Sequence, residues 1–196
     1  WHFNNTVVQS RIAVAHRAGN NHAHMLTTNN TVLVLVDVQG KLAQLMDGKD
    51  ALFQNLRKLV QGVQVLGLPI IWLEQNPAGL GPTIPELAEL LHAQQPIAKF
   101  SFSCCGDDGF MAALRATGRK QVLLAGIEAH VCIYQTAADL LNLGYEIEVV
   151  ADGVSSRTAA NRELALGKIQ QLGARLTSVE MALFELLGKA EGPAFK

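Results

Sequence analysis

From Thr31 onward, short continuous apolar runs alternate with longer stretches of helical periodicity, and few architectures accommodate that alternation. The runs are TVLVLVD (31–37), PIIWLEQ (69–75), PIAKF (96–100), QVLLAGI (121–127), YEIEVVAD (145–152) and ARLTS (174–178). Apolar, β-branched runs without polar alternation are the mark of strands covered on both faces. Between the first two, Leu52, Leu56, Leu59, Val60, Val63 and Leu66 recur at helical spacing, and Gly67 and Pro69 close the segment. Further helices are predicted over 86–92, 108–116 (with Asp107 or Asp108 as N-cap), 129–143, 158–172 and 179–188, and a Pro/Gly-rich loop over 76–85. Strands and helices in this order predict an α/β fold: a six-stranded parallel sheet, helices on both faces and right-handed crossovers. Neither a repeat nor a linker interrupts the pattern, so 25–196 reads as one domain.

Residues 1–24 differ from the rest. They hold four of the six histidines (His2, His16, His22 and His24) among scattered Asn and Arg, without the apolar stretch of a secretory signal. They read as a leader, either vector-derived or translated from upstream of a natural start at Met25. Over the 196 residues, 49% hydrophobic and 17% charged side chains describe a chain that buries a core. A net charge of −1 without a basic stripe argues against a nucleic-acid partner. The apolar runs are far shorter than the roughly 20 residues needed to cross a bilayer. Three cysteines, two of them adjacent (Cys104 and Cys105), make a poor disulfide framework and point to a reducing, cytoplasmic setting. No C-x-x-C pair suggests zinc.

In open parallel sheets ligands bind beyond the carboxyl ends of the strands. That rule places Asp37, Glu74 to Asn76, Lys99, Cys132 and Asp152 on one rim. Asp37 ends a wholly apolar strand, where a carboxylate is costly unless paired or used; the competing role is a helix cap or structural ion pair. Lys99 ends another strand, and its competing role is an edge lysine reaching into solvent. Cys132 follows a strand by one turn, at the start of a helix. The helix dipole there should draw its pKa below the free value of about 8.5, unless it is a buried structural cysteine.

The segments VLVDVQGKL, AKFSFS, GIEAHVCIYQTA and VVADGVSSRT, in this order, resemble the isochorismatase-like hydrolase superfamily, and most closely its branch of uncharacterised isochorismatase-domain hydrolases. The likeness runs from about Thr31 to the C-terminus. It implies a three-layer, Rossmann-like α/β fold and a Cys–Asp–Lys triad. Cys132 would be the nucleophile, Asp37 the proton acceptor and later donor, and Lys99 the cation that holds Asp37 and favours the thiolate. The resemblance also implies a non-proline cis peptide at Ile127–Glu128, with the N–H groups of Glu128 and Cys132 forming an oxyanion hole. True isochorismatases carry glycine where Cys132 stands, so the thiol argues for cleavage of an amide-like bond through a thioester. Nicotinamidases carry metal-binding histidines after the second strand. EQNPAGLGPTIPE (74–86) has none, so neither a catalytic metal nor another cofactor is expected.

Gln39, Trp72, Gln75, Phe100, Phe102 and His130 are candidates for the wall of a small-molecule pocket, with core packing as the competing role. His130 and Cys132, two apart on a helix, do not face each other. Ser155, Ser156 and Arg157 suit a helix cap as well as a substrate contact. The last helix, with seven apolar residues between Val179 and Leu187, and the loop bearing Pro77, Leu80, Pro82 and Ile84 suggest a homo-oligomer. The reading is a metal-independent cysteine hydrolase of a small amide or related C–N substrate; the alternative is a non-catalytic scaffold or binding member.

Overall fold

A computed structural model describes residues 25–195; the leader expected over 1–24 lies outside them. Six parallel strands are ordered β3-β2-β1-β4-β5-β6. They are β1 (Thr31–Val36), β2 (Ile70–Gln75), β3 (Ile97–Lys99), β4 (Gln121–Ile127), β5 (Glu146–Ser155) and β6 (Arg175–Thr177). The helices are α1 (Gly40–Gln44), α2 (Lys49–Val65), α3 (Pro77–Leu80), α4 (Pro85–Ala88), α5 (Asp108–Ala116), α6 (Tyr134–Asn142), α7 (Ala159–Gln171) and α8 (Val179–Leu187).

The period of two along β1 divides the core. Leu33 and Leu35 pack with Leu56, Leu59, Val60 and Val63 of α2, while Val32, Val34 and Val36 pack with Phe110, Leu114, Ala137 and Leu140 of α5 and α6. Both faces are covered, which is why the strand is apolar throughout. The chain builds outward from β1 to β3, returns, and continues from β4 to β6. The order therefore reverses between β1 and β4, the position where such sheets open a crevice. The segments carrying Asp37 and Cys132 leave the sheet on either side of that reversal.

Three elements differ from the sequence reading. The strand expected to end at Asp152 runs on to Ser155, after a register shift: Leu124 pairs with Val149, but Gly126 with Val154. The extra residues bulge outward, leaving Asp152 exposed with Oδ1 accepting from Val179 N at 2.8 Å. Asp152 thus accepts the first amide of α8, whose N-cap is Ser178, and lies within the bulge rather than at the strand end. The helix expected over 129–143 begins instead with a π-helical turn, Ala129–Ile133. The loop over 76–85 contains α3 and most of the approach to α4, and its Ile84 is a buried core residue rather than an exposed one.

Gly126 is where β4 approaches β1 most closely. Its φ is +122°, and a Cβ there would lie 2.1 Å from the Val36 carbonyl oxygen. Both the conformation and the clash reject a side chain. Gly118 also has positive φ (+66°) but open space around it. Gly126→Ala is expected to cost about 3 kcal/mol or more in urea unfolding, against about 1 kcal/mol for Gly118→Ala. Equal losses would mean that the sheet yields at the close approach.

Candidate active site

Asp37 is the residue after β1, with φ 55° and 2% of its surface exposed. Its Oδ2 accepts from Lys99 Nζ at 2.7 Å. Lys99 closes β3, and sheet register places it beside Gln75 of β2. It is wholly buried, because residues 100–103 fold back over it; the edge lysine reaching into solvent is ruled out. Nζ also donates to Gln75 Oε1 at 2.6 Å, Ser101 O at 3.2 Å and Phe102 O at 3.4 Å. A buried ammonium is tolerated only with this degree of satisfaction. Burial pushes the Asp37 pKa above its ordinary 3.8, although the charge and hydrogen bond of Lys99 pull the other way.

The second Asp37 oxygen, Oδ1, is buried and has no hydrogen-bond partner among the described residues. The Cys132 thiol and the Gln75 amide both act to lower the carboxyl pKa, yet neither meets hydrogen-bond geometry at Oδ1. The Gln75 amide is committed to Gln39 Oε1 at 2.6 Å. What remains facing Asp37 is the thiol.

Cys132 lies in the π-helical turn and is 6% exposed. The Glu128 carbonyl accepts from Val131 N at 3.0 Å and Ile133 N at 3.3 Å, the amides on either side of Cys132. The Ile127–Glu128 peptide is cis. The lowered thiol pKa expected from the helix terminus does not hold: the Cys132 pKa is pushed up to about 12. Desolvation is the main cause and the Asp37 charge adds to it; Lys99 and the Glu128 amide oppose them without prevailing. Cys105 is pushed up to about 11 and the fully buried Cys104 higher still, both by desolvation.

The structure thus gathers Asp37, Lys99 and Cys132, and adds Gln75, whose Oε1 steers Lys99 and whose Nε2 donates to Phe100 O at 2.8 Å. Two expected pocket residues are structural instead. Gln39 is buried and donates to Gly81 O at 2.7 Å and Gln75 O at 3.2 Å, tying down the loop after β2. Trp72 belongs to the α2 face of the sheet, opposite Cys132, and its indole donates to Thr83 Oγ1 at 2.8 Å. Phe100 and Phe102 expose 76% and 57% of their surface on the segment that wraps Lys99. His130 Nδ1 pairs with Ser156 Oγ at 2.9 Å. Sequence reasoning missed the Glu128 side chain: its Oε2 accepts from both N and Nε of Arg157 at 3.1 Å. The available signal was the unassigned polar run Ser155-Ser156-Arg157; the cap of α7 is its neighbour Thr158.

Glu74 accepts from Thr83 N and Oγ1 and serves the same loop. Among the described residues no group of three or more His, Cys, Asp or Glu side chains is placed to hold a metal ion. No helix among them is long and apolar enough to cross a membrane. A groove of about 580 Å³ lies away from this site, between α2, α8 and Phe195.

Residues 31–181 match the isochorismatase domain model. The chain is 40% identical over 172 residues to isochorismatase domain-containing protein 2 of Danio rerio, covering 87% of this chain and 86% of that one. Among solved structures it superposes with TM-score 0.82 and 36% identity on one described as the MAR1 ribonuclease of Caenorhabditis elegans, covering 88% of each chain. It superposes with TM-score 0.81 and 27% identity on the Escherichia coli YcaC gene product, described as an octameric hydrolase of unknown specificity, covering 85% of this chain and 83% of that one.

Removing one member of a buried ion pair exposes the cost of the other. Lys99→Met is expected to destabilise the fold by about 3–5 kcal/mol at pH 7, with Asp37→Asn/Lys99→Met recovering part of the loss. The sign with pH follows from the raised Asp37 pKa. The folded state binds this proton more tightly than the unfolded chain, so its contribution is favourable below pH 3.8 and is lost as pH rises through the folded pKa. Loss of Lys99 raises that pKa further. The penalty should therefore be smaller at pH 4 than at pH 7 in denaturant titrations; a penalty that grows on acidification would contradict the assignment.

Proposed function

Because the chain belongs to the isochorismatase-domain family, in which it is a hydrolase, we propose that it is a metal-independent cysteine hydrolase of a small amide or related C–N substrate. The observation that carries this is the divided carboxylate of Asp37: Oδ2 is locked to Lys99, while Oδ1 is buried, unpartnered and available to the Cys132 thiol. A structural ion pair has no need to leave one oxygen unsatisfied.

The proposed steps follow from that arrangement. As Sγ of Cys132 forms a bond to the substrate carbonyl carbon, its proton passes to Asp37 Oδ1. The amides of Glu128 and Cys132 would receive the developing oxyanion. Collapse breaks the C–N bond, and the Asp37 proton leaves with the amine. Water then attacks the thioester, giving its proton to Asp37, and the acid departs as the thiol is restored. Lys99 does not exchange the proton in this scheme; with four oxygen acceptors around it, it fixes Oδ2 and thereby aims Oδ1. With its pKa pushed up to about 12, the Cys132 thiol rests protonated, and its ionisation accompanies attack.

A panel of small amides should yield one that leaves an acyl adduct on Cys132 in quenched mass spectra. Cys132→Ala and Asp37→Asn should each lower kcat/KM by about 100-fold or more. The pH profile should rise along a limb displaced above 3.8 and stay level through pH 8, and EDTA should have no effect. Cleavage of RNA or amide that persists in Cys132→Ala would reject the proposal. Failure of every amide, with Cys132 never acylated, would favour the scaffold alternative.

Assembly belongs to the same reading. Met181 and Phe184 of α8 remain 62% and 57% exposed after Val179, Ala182 and Leu186 have filled the core. We propose that copies of the chain associate through this helix. Light scattering should give an even multiple of 21.1 kDa, and Phe184→Glu should lower it; a monomer mass for the unaltered chain would reject this.

A further inference from the structure

The turn that carries Cys132 is held from outside by a segment distant in sequence. Ser155, Ser156 and Arg157 end β5 and enter α7, and they contact that turn at two side chains. Arg157 donates through both its amide and Nε to Glu128 Oε2, at 3.1 Å each, and Ser156 Oγ pairs with His130 Nδ1 at 2.9 Å. The same residues reach the other half of the site. Ser155 Oγ donates to Asp47 O at 2.7 Å and Asp47 N donates to Ser156 O at 2.9 Å, fixing the segment that follows Asp37 and α1. One short strand end thus ties the base-bearing segment to the nucleophile-bearing turn.

Within this tie, Glu128 has a special position. Its carboxylate is 8% exposed in the pair, while Arg157 is 57% exposed. A partly exposed pair of this kind contributes little to global stability. Its geometry matters more: Glu128 is the residue between the cis peptide and the turn, its carbonyl takes the amides on both sides of Cys132, and its own amide acts on the Cys132 sulfur.

We propose that Arg157 is a positioning residue, which through Glu128 fixes the turn that presents Cys132. This rests on Cys132 as the nucleophile for its kinetic consequence, but not for its structural one. Arg157 acts at a distance and touches no reacting atom in this scheme. The Arg175–Glu148 pair is its natural control: Nη2 to Oε1 is 2.6 Å, Arg175 is 42% exposed, and the pair joins β5 to β6 away from the site.

The test uses the full chain and the variants Arg157→Ala, Arg157→Lys and Arg175→Ala. Backbone hydrogen exchange in the peptide spanning 126–134 should rise at least 10-fold in Arg157→Ala, fall back in part in Arg157→Lys, and stay at the wild-type rate in Arg175→Ala. Alkylation of Cys132 by iodoacetamide, measured relative to Cys105, should quicken by about 10-fold in Arg157→Ala only, because a loosened turn hydrates and exposes a thiol that burial keeps protonated. With an amide substrate in hand, kcat should fall by a similar factor with KM nearly unchanged. Unaltered exchange in Arg157→Ala would overturn the inference whatever the activity shows. Raised exchange with a Cys132 that never reacts, even in the unaltered protein, would support the positioning role and reject the nucleophile.

Discussion

Burial of the Lys99 ammonium against Asp37 constrains everything around it. Two opposite charges enclosed by protein are stable only if the geometry is exact and every remaining valence is met. The fold meets that demand from three directions. Parallel pairing of β2 and β3 brings Gln75 alongside Lys99, residues 100–103 supply two carbonyls, and β1 delivers Asp37 from the centre of the sheet. Gln39, two residues after Asp37, then fixes Gln75 by its backbone, so both sides of the ion pair are braced by one another. The single unmet valence, Asp37 Oδ1, stands out because so much is spent on satisfying the others.

The sheet order explains why such a centre can exist here. At the reversal between β1 and β4 the flanking helices diverge, and two chain segments leave the sheet side by side without a crossover between them. Gly126 allows β4 to come so near β1 that any side chain would strike Val36, and the chain then turns through Glu128 into the Cys132 turn. The long bulge of β5, with Asp152 swung out to accept from the first amide of α8, restores register in time for Ser155 to Arg157 to close over that turn. Three departures from regular structure, namely the glycine approach, the π-helical turn and the bulge, all lie around this one place.

Much of this was legible in the sequence. Apolar runs gave all six strands to within a residue or two, apart from the far end of β5, because burial on both faces leaves no ambiguity of period. The Asp107 cap and α5 were also readable, since Asp107 Oδ1 does accept from Phe110 N. The rim rule brought Asp37, Lys99 and Cys132 together from positions 62 and 33 residues apart. It failed for Asp152, because a bulge changes strand length without changing composition. Trp72 and Gln39 were misread as pocket wall because facing depends on register, which a continuously apolar strand does not disclose. The Glu128–Arg157 contact spans 29 residues and follows no local spacing, so only the tertiary structure reveals it.

The neutral resting thiol changes how such a centre would discriminate. A helix-terminal thiolate reacts with any electrophile that reaches it. At Cys132 the gain from the turn's amides and from Lys99 is outweighed by desolvation and by the Asp37 charge. Ionisation is therefore favourable only when the proton has somewhere to go and the sulfur a bond to form. Asp37 Oδ1 offers the first, and a carbonyl held against the amides of Glu128 and Cys132 would offer the second. On the proposed reading, reactivity belongs to the complex and not to the free enzyme. The same burial that raises the thiol pKa also raises that of Asp37, which makes the carboxylate a stronger proton acceptor than one in water. Desolvation thus opposes the thiolate while strengthening the base that would receive its proton, and the Lys99 charge and hydrogen bond work against that rise by favouring the Asp37 carboxylate.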